Sequence, residues 1–161
     1  MGKTILAYVT RYGATTETAT EIVRVLKDKF DIDVDLVDIK ANKNLDVSSY
    51  ENVILGVSVA KFRWAKEGKK FLKNDLAGKK LFVFVSSGTA GEAYQQKDLE
   101  KYEKLQKKWI DNVLAKNNLQ YASRKALGGR FVGAFSNRGD NRDWDVIRKW
   151  AEEIGTIISE G

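Results

Sequence analysis

Three continuous apolar runs constrain the fold of this chain more than any other feature of its sequence. They lie at residues 5–9, 53–57 and 81–85, and each is typical of a strand buried on both faces. The segments between them place apolar residues at helical spacing, as in 19–30. Buried strands that alternate with helices predict a mostly parallel sheet with helices on both faces.

The remaining elements follow from the same patterns. Residues 32–37 alternate as in a strand near a sheet edge, and residues 131–135 are typical of a final strand, which 122–127 either extends or precedes. Apolar spacing predicts further helices at about 65–75, 94–117 and 143–159. The order is β α β β α β α β α, and a length of 161 residues without a linker or repeat predicts one domain over residues 1–161.

Composition excludes several kinds of site. The chain has neither cysteine nor histidine, which excludes disulfides, thiol chemistry, cysteine or zinc sites and a histidine-based triad. An enzyme of this composition needs carboxylates, a metal held by oxygen, or a bound cofactor. No apolar run approaches the roughly 20 residues that span a bilayer, and nothing resembles a signal peptide, so we expect no integral membrane segment and a cytoplasmic location.

The positive charge of the chain belongs to one segment. The net charge is +6, and residues 61–80 hold eight basic and two acidic side chains, which is the whole of that excess. This segment is either a solvated lysine-rich helix face or a surface that steers an acidic partner protein into contact. Nucleic acid is not an expected partner, because the lysines lie on one short helix without a recognition motif.

The loop after the first apolar run has the features of an anion site. Residues 10–16 are Thr-Arg-Tyr-Gly-Ala-Thr-Thr, and they connect the first strand to the first helix. The N–H groups of a first helical turn have no intrahelical partner, and the helix dipole leaves positive potential there. Thr10, Thr15 and Thr16 add hydroxyl donors, and Gly13 allows close approach of the backbone. A phosphate monoester fits such a loop; the alternative is that Thr15 or Thr16 only caps the helix and Gly13 only forms a turn.

This loop matches neither of the two best-known phosphate motifs. It lacks the Gly-Lys-Ser/Thr ending of a P-loop and the three-glycine spacing of a dinucleotide fingerprint, which disfavours ATP hydrolysis and ordinary NAD binding. In doubly wound sheets, ligands bind outside the carboxyl ends of the strands where the strand order reverses. If the first strand is central, loops 10–16, 56–64 and 86–94 meet at one edge and form one site.

The chain resembles the flavodoxin family over nearly its whole length. The phosphate loop of that family has a hydroxyl residue, two variable positions, glycine, one variable position and threonine, and residues 10–15 fit this pattern. The resemblance implies an α/β, flavodoxin-like, doubly wound five-stranded parallel sheet of order 2-1-3-4-5 with helices on both faces. It also implies that FMN is the cofactor.

By this resemblance three loops hold FMN. The first would bind the phosphate, mainly through main-chain and hydroxyl donors, and the other two would hold the isoalloxazine and the ribityl chain. The implied residues are Thr10, Arg11, Tyr12, Gly13, Ala14, Thr15 and Thr16 in the first loop, Ser58, Val59, Ala60, Lys61, Phe62, Arg63 and Trp64 in the second, and Ser86, Ser87, Gly88, Thr89, Gly91, Glu92 and Tyr94 in the third.

A finer resemblance is to the branch that includes the flavodoxin-like, quinone-linked protoporphyrinogen dehydrogenases. Residues 10–15 are similar to the Thr-Arg-x-Gly-x-Thr motif of that branch, and residues 56–59 to its Gly-Ala-Ser-Ile segment. Asp143-Trp144 opens the last helix as it often does there. The bacterial dehydrogenases carry a long apolar and basic insertion ahead of that helix, where this chain has only residues 136–142. An electron carrier is therefore the first expectation.

Three aromatic side chains are candidates for stacking on the isoalloxazine. Trp64 and Tyr94 belong to the loops expected at the ring, and Phe62 is an alternative to Trp64. Such stacking contributes roughly 0.5–1.5 kcal/mol beyond the burial of area. The competing interpretations are that Trp64 packs on the core at the start of a helix and that Tyr94 begins the buried stripe of the long helix.

The resemblance implies an electron-transfer protein whose FMN cycles between oxidised, semiquinone and hydroquinone forms, without catalytic side chains or a metal. The alternatives are an FMN-dependent oxidoreductase of the protoporphyrinogen dehydrogenase or quinone/NAD(P)H reductase type, and a flavodoxin-fold interaction module without flavin. The expected partners are redox proteins with acidic docking surfaces, and the oligomeric state is left open.

The charge near the predicted site differs from that of most flavodoxins, which are acidic. Lys61, Arg63 and Lys66 belong to the second loop and its helix. Two unit charges about 8 Å apart interact by roughly 2 kcal/mol at an effective dielectric near 20, before screening by salt. We therefore expect the low-potential couple of the flavin to be less negative here than in acidic flavodoxins.

Overall fold

A sheet of five parallel strands forms the centre of the structure, a computed structural model that describes residues 2–130 and 139–161. The strand order is β2-β1-β3-β5-β6, which confirms the predicted order with β1 central. A sixth, short strand, β4, pairs antiparallel with the end of β3. The bounds are Thr4–Val9 (β1), Val34–Asp38 (β2), Asn52–Ala60 (β3), Arg63–Trp64 (β4), Lys80–Ser86 (β5) and Ser123–Leu127 (β6).

Helices cover both faces of this sheet. They are Ala14–Phe30 (α1), Lys66–Phe71 (α2), Gly88–Gln95 (α3), Leu99–Gln106 (α4), Asn112–Lys116 (α5) and Trp144–Glu160 (α6), and a π-helical turn, Lys107–Asp111, joins α4 to α5. Alternate residues of β1 point into two separate cores. Ile5, Ala7 and Val9 pack with the side of α2–α5, while Leu6 and Tyr8 pack with α1 and α6.

Among the helices of the described residues, none combines the length and the hydropathy that crossing a membrane requires.

The fifth strand lies within residues 122–127, the segment predicted either to extend or to precede the final strand. The place beside β5 is taken by Ser123–Leu127, whereas residues 131–135, predicted as the final strand, lie outside the described residues. The apolar pattern is weak at the observed strand because it lies at the sheet edge and carries Arg124 and Lys125. Arg124 forms ion pairs with Glu103 and Asp111, and Lys125 lies over the Tyr102 ring, so both charges are accommodated at the edge.

The helix predicted over 94–117 is wrong in its start and its continuity. The helix begins at Gly88, where the Ser87 hydroxyl accepts a hydrogen bond from the Ala90 amide at 3.2 Å, so most of the predicted third loop is helical. The chain then breaks at Lys97, whose φ is 57°, and Asp98 caps α4. The helix predicted over 65–75 is shorter, ending at Phe71, while the last helix is confirmed with Asp143 as its cap.

A glycine in β3 makes room for a buried phenylalanine ring in the centre of the sheet. Gly56 lies between Tyr8 of β1 and Phe84 of β5 in the register, and a Cβ at Gly56 would lie 2.2 Å from the Phe84 ring. The Phe84 ring in turn packs edge-on against Trp150 of α6, with centroids 5.8 Å apart. The absence of a side chain at Gly56 therefore makes room for the Phe84 ring, against which Trp150 of α6 packs.

We predict that Gly56→Ala lowers the free energy of unfolding by about 1–3 kcal/mol, because the added methyl group overpacks the core against Phe84. Phe84→Leu, which removes part of the ring, is expected to reduce that penalty. Chemical denaturation of both single variants and the double variant measures the coupling. Strictly additive losses would contradict this account of the packing.

Candidate functional site

The loops at the carboxyl ends of β1, β3, β5 and β6 surround one cavity of about 260 Å³. Its position agrees with the expectation that a central β1 brings these loops together. The lining residues are Thr10, Arg11, Tyr12, Ala14, Thr15, Ser58, Val59, Ala60, Lys61, Phe62, Ser86, Ser87, Gly88, Thr89, Trp109, Gly129 and Arg130.

The first loop leaves the amino end of α1 without a side-chain cap. Gly13 occupies the cap position with φ 86°, and no side chain accepts a hydrogen bond from the first turn. The Gly13 amide itself donates to Thr10 Oγ1 at 2.8 Å, which tightens the loop. Thr15 and Thr16 lie inside the helix, so the alternative in which one of them is the cap is wrong, although Gly13 does form the turn. The first-turn amides are therefore available to an anion.

Four buried polar atoms around the cavity have no hydrogen-bond partner within the described part of the chain. They are Thr15 Oγ1, Ser58 Oγ, Ser86 Oγ and Trp109 Nε1. A buried polar group without a partner is costly, so such groups are normally satisfied by protein, water or ligand. Their arrangement around one cavity indicates a polar ligand that exchanges hydrogen bonds with several strand ends.

A buried arginine, Arg142, stabilises the start of α1. Arg142 Nη1 donates to the Ala14 carbonyl at 3.2 Å, and its guanidinium forms ion pairs with Glu17 and Asp140. The Arg142 side chain is only 2% exposed. Its hydrogen bonds hold the pKa of the Glu17 carboxyl and the pKa of the Asp140 carboxyl below their usual ranges.

A second arginine holds the loop at the cavity itself. Arg130 Nη1 donates to Glu17 Oε1 and Nη2 to the Tyr12 carbonyl, each at 2.9 Å. Glycine is favoured at Gly13 by its positive φ of 86°, and a Cβ there would lie 2.9 Å from Arg130 Nη2, so the arginine would have to shift. The two arginines together fix the loop in its open, uncapped form.

The charge of the cavity suits an anionic ligand. Arg11, Lys61 and Arg130 line it, and no carboxylate does so among the described residues. Lys61 and Phe62 form the two-residue turn between β3 and β4 with φ of 52° and 62°, as a tight hairpin requires. This turn leaves the Phe62 side chain 72% exposed at the rim.

Most of the predicted site residues line this cavity, and seven do not. The seven are Gly13, Thr16, Arg63, Trp64, Gly91, Glu92 and Tyr94. Gly13 and Thr16 still belong to the first loop and the first turn of α1. Gly91 is buried in α3, where a Cβ would lie 2.3 Å from Asn141 Oδ1, and Glu92 on the same helix accepts a hydrogen bond from Gln96.

The two aromatic residues preferred for stacking have structural roles instead. Trp64 is 4% exposed, and its Nε1 donates to the Trp109 carbonyl at 2.7 Å, which agrees with the interpretation that it packs on the core. The Tyr94 ring packs edge-on against Tyr102, with centroids 5.3 Å apart. Phe62, the alternative to Trp64, does line the cavity.

Three lining residues, Trp109, Gly129 and Arg130, are absent from the sequence prediction. Trp109 falls inside the helix predicted over 94–117, but it lies in the π-helical turn, where its indole reaches the cavity wall. Gly129 and Arg130 follow β6. With 123–127 rather than 131–135 as the strand beside β5, these two residues form a fourth loop at the same sheet edge.

Known proteins share this fold and this order of elements. A family model described as flavodoxin domain matches residues 5–127. Oxidised flavodoxin 1 from Bacillus cereus is 18% identical with a TM-score of 0.60, over 94% of this chain and 95% of that one. A flavodoxin from the domain Archaea is 17% identical with a TM-score of 0.61, over 98% and 99% of the two chains.

A flavoprotein from Thermotoga maritima is similar over 96% of this chain but only 36% of its own, with 16% identity and a TM-score of 0.58. At these identities the solved structures show the fold alone. No curated protein sequence is significantly similar to this chain.

We predict that Arg142→Ala lowers the free energy of unfolding at pH 7 by about 1–2 kcal/mol, because hydrogen bonds to Glu17, Asp140 and the Ala14 carbonyl are lost while the carboxylates regain water. The folded-state pKa of each carboxyl is depressed, so the contribution is present above the usual values of 4.5 and 3.8 and is lost as the pH falls through the depressed values. Urea titrations at pH 7 and at about pH 3 test this, since the difference between the two proteins must shrink in acid.

Arg148→Ala is the matched control. Arg148 on α6 is 44% exposed and pairs with Asp145 at 3.4 Å and Glu21 at 3.7 Å, so its removal is expected to cost less than about 0.5 kcal/mol at either pH. An Arg142→Ala effect that stayed constant between the two pH values would contradict the role assigned to its ion pairs.

Proposed function

The chain belongs to the flavodoxin domain family, and from that premise we propose that it binds FMN in the cavity at the carboxyl ends of β1, β3, β5 and β6 and transfers electrons. The observation that carries this proposal is the uncapped amino end of α1, with the unpartnered Thr15 hydroxyl beside it. A phosphate monoester supplies the acceptors that these amides and this hydroxyl lack.

The residues of the first loop fit the phosphate. The first-turn amides of α1 and the hydroxyls of Thr10 and Thr15 would donate to its oxygens, and Arg11 and Arg130 would balance its charge. Thr10 Oγ1 already accepts a hydrogen bond from the Gly13 amide, so its own proton is free to be donated.

The other lining residues fit the flavin ring and the ribityl chain. Ser58 and Ser86 offer unpartnered hydroxyls, and the unpartnered indole N–H of Trp109 is a further donor. Phe62 offers an aromatic face at the rim. We therefore assign the role of aromatic cover to Phe62 and Trp109 rather than to Trp64 and Tyr94.

FMN, when bound, supplies the chemistry by accepting and donating one or two electrons. The protein has to bind the cofactor, orient it, limit its contact with water and set its potential. No side chain is required as an acid or a base, in agreement with the absence of histidine and cysteine.

We predict that Thr15→Val weakens FMN binding about ten- to a hundredfold, because a hydrogen bond to a charged group contributes about 1.5–3 kcal/mol. Fluorescence quenching of FMN titrated with flavin-free protein measures the affinity. Riboflavin, which lacks the phosphate, is the matched ligand, and its affinity should not change.

Thr18→Val is the matched protein variant. The Thr18 hydroxyl is also buried without a partner and lies on the same helix, but Thr18 does not line the cavity. Its replacement should leave FMN affinity unchanged. Equal losses in the two variants, or an equal loss for riboflavin, would disprove the phosphate assignment.

Lys61 provides a test of the electrostatic effect on the flavin. We predict that Lys61→Gln makes the low-potential couple more negative by about 20–60 mV, or about 0.5–1.4 kcal/mol for one electron, as a partly screened unit charge should. A redox titration in about 20 mM and about 500 mM salt measures the shift, which salt must reduce. The expectation that this couple is less negative than in acidic flavodoxins fails if the wild-type potential is as low as theirs.

An FMN-dependent oxidoreductase of the protoporphyrinogen dehydrogenase or quinone/NAD(P)H reductase type is the competing proposal. Stopped-flow mixing of the FMN-loaded protein with NADPH alone, and a turnover assay with protoporphyrinogen, distinguish the two. An electron carrier is reduced slowly by NADPH in the absence of a reductase. Fast reduction or turnover would replace our proposal with the enzyme.

A further inference from the structure

A second, strongly basic groove lies beside the cofactor cavity. It has a volume of about 400 Å³ and is lined by Arg11, Lys40, Arg63, Trp64, Ala65, Lys66, Glu67 and Lys69, which we call the basic groove. Five of these residues are cationic and one is a carboxylate. Arg11 lines both the groove and the cavity, so the two are adjacent.

The positive charge of the basic groove is not neutralised within the described part of the chain. None of its five cations has a carboxylate oxygen of the described residues within 4 Å, whereas Arg24, Lys27 and Arg124 elsewhere are ion-paired. The Arg11 guanidinium and the Lys40 ammonium donate only to backbone carbonyls, at 3.4 Å and 2.8 Å. These bonds hold the two side chains in place without cancelling their charge.

The cations come from three separate parts of the fold. Arg11 follows β1, Lys40 follows β2, and Arg63, Lys66 and Lys69 belong to β4 and α2. Lys66 and Lys69 are three residues apart on α2 and therefore share a face of that helix. The fold thus gathers charges that are distant in sequence into one surface.

An exposed aromatic side chain stands at the boundary between the groove and the cavity. Phe62 precedes Arg63 in the chain, lines the cavity, and leaves 72% of its surface in solvent, with the Lys108 ammonium 5.6 Å from its ring. Aromatic and arginine side chains are enriched at protein interfaces, and unpaired cations around them attract a partner of opposite charge.

We propose that the basic groove, with Phe62 at its edge, is the docking surface for an acidic redox partner protein. The proposal rests on the proposed function, because docking in a groove adjacent to the FMN cavity would bring a partner close to the cofactor for electron transfer. Attraction between the five cations and the carboxylates of a partner would speed the encounter and orient it. Nucleic acid fits less well, since the aromatic residue that lines the groove, Trp64, is buried and Phe62 at its edge is a single stacking platform rather than a row of them.

The test uses one probe protein in two charge forms, native cytochrome c, which is basic, and succinylated cytochrome c, which is acidic. Each ferric haem takes up one electron, so two cytochromes oxidise one fully reduced FMN, whose protons pass to solvent. Stopped-flow oxidation of the reduced, FMN-loaded protein gives the rates. Calorimetric titration of the ferric cytochromes into the protein, with and without FMN, gives affinities that do not depend on electron transfer.

The informative variant is Lys66→Glu/Lys69→Glu, and the matched control is Lys101→Glu/Lys116→Glu. All four lysines are exposed helical residues without a carboxylate of the described chain within 4 Å, and only the first pair lines the basic groove. We expect the groove variant to lower both the affinity for the succinylated form and its reduction rate about tenfold in about 20 mM salt. The control variant should change the affinity and the reduction rate by less than about twofold each. In about 500 mM salt the groove variant and the control should no longer differ.

Three outcomes overturn the proposal. Equal effects of the two variants would show a diffuse charge effect rather than a docking site. Native cytochrome c binding as tightly as the succinylated form would remove the selectivity for an acidic partner. Tighter binding of a 20-base-pair DNA duplex, lost in the groove variant, would assign the groove to nucleic acid.

Failure of the proposed function gives a different pattern. In that case FMN is not taken up and no electrons reach either cytochrome. The calorimetric affinity of the flavin-free protein for succinylated cytochrome c would still respond to the groove variant and not to the control. Circular dichroism of all variants verifies that they are folded.

Discussion

The amino end of α1 begins on glycine rather than on a capping side chain, and the site depends on this constraint. A serine or aspartate at the position of Gly13 would have to adopt φ of 86°, and its Cβ would meet the Arg130 guanidinium. With glycine there, the first-turn amides keep their hydrogen-bonding capacity for a ligand. Arg130 and Arg142 compensate from outside by holding the loop through the Tyr12 and Ala14 carbonyls and the Glu17 carboxylate. The binding loop is therefore stabilised by contacts that do not use its ligand-binding groups.

The parallel sheet supplies further hydrogen-bonding groups to the same cavity. Ser58 and Ser86 are paired in the register between β3 and β5, so their hydroxyls lie at the same level of the carboxyl edge. Both hydroxyls are buried and have no hydrogen-bond partner among the described residues, as is true of the Thr15 hydroxyl at the start of α1. The pairing of β3 with β5 therefore places hydroxyl donors from two distant parts of the chain at the same depth of the sheet edge. The polar floor of the cavity is a consequence of strand pairing, and not of any single motif.

The central part of the fold and of the site could be predicted because burial on both faces leaves an unmistakable apolar run. This holds for β1, β3 and β5, whose ends carry most of the lining residues. The edge strand β6 could not be recognised in the same way, since Arg124 and Lys125 interrupt its pattern and are stabilised by partners distant in sequence. Arg130 follows this strand, so the sequence did not indicate that it lines the cavity. Trp109 was missed because a π-helical turn changes the direction of its side chain, and helical spacing assumes a regular helix.

The excess positive charge of residues 61–80 is not cancelled when the chain folds, because the ion pairs form in other parts of the described chain. On the face of α1 and α6, Lys29 pairs with Glu152 and Arg148 with Glu21, whereas the groove lysines Lys66 and Lys69 have no such partner in the described chain. The uncompensated charge adjoins the proposed FMN site, so cofactor potential and partner choice would depend on one electrostatic field. In the proposed complex, carboxylates of an acidic partner would weaken that field at the flavin. The reduced cofactor would then become a stronger donor when the acceptor is bound, and by linkage the oxidised protein would bind that acceptor more tightly than the reduced one.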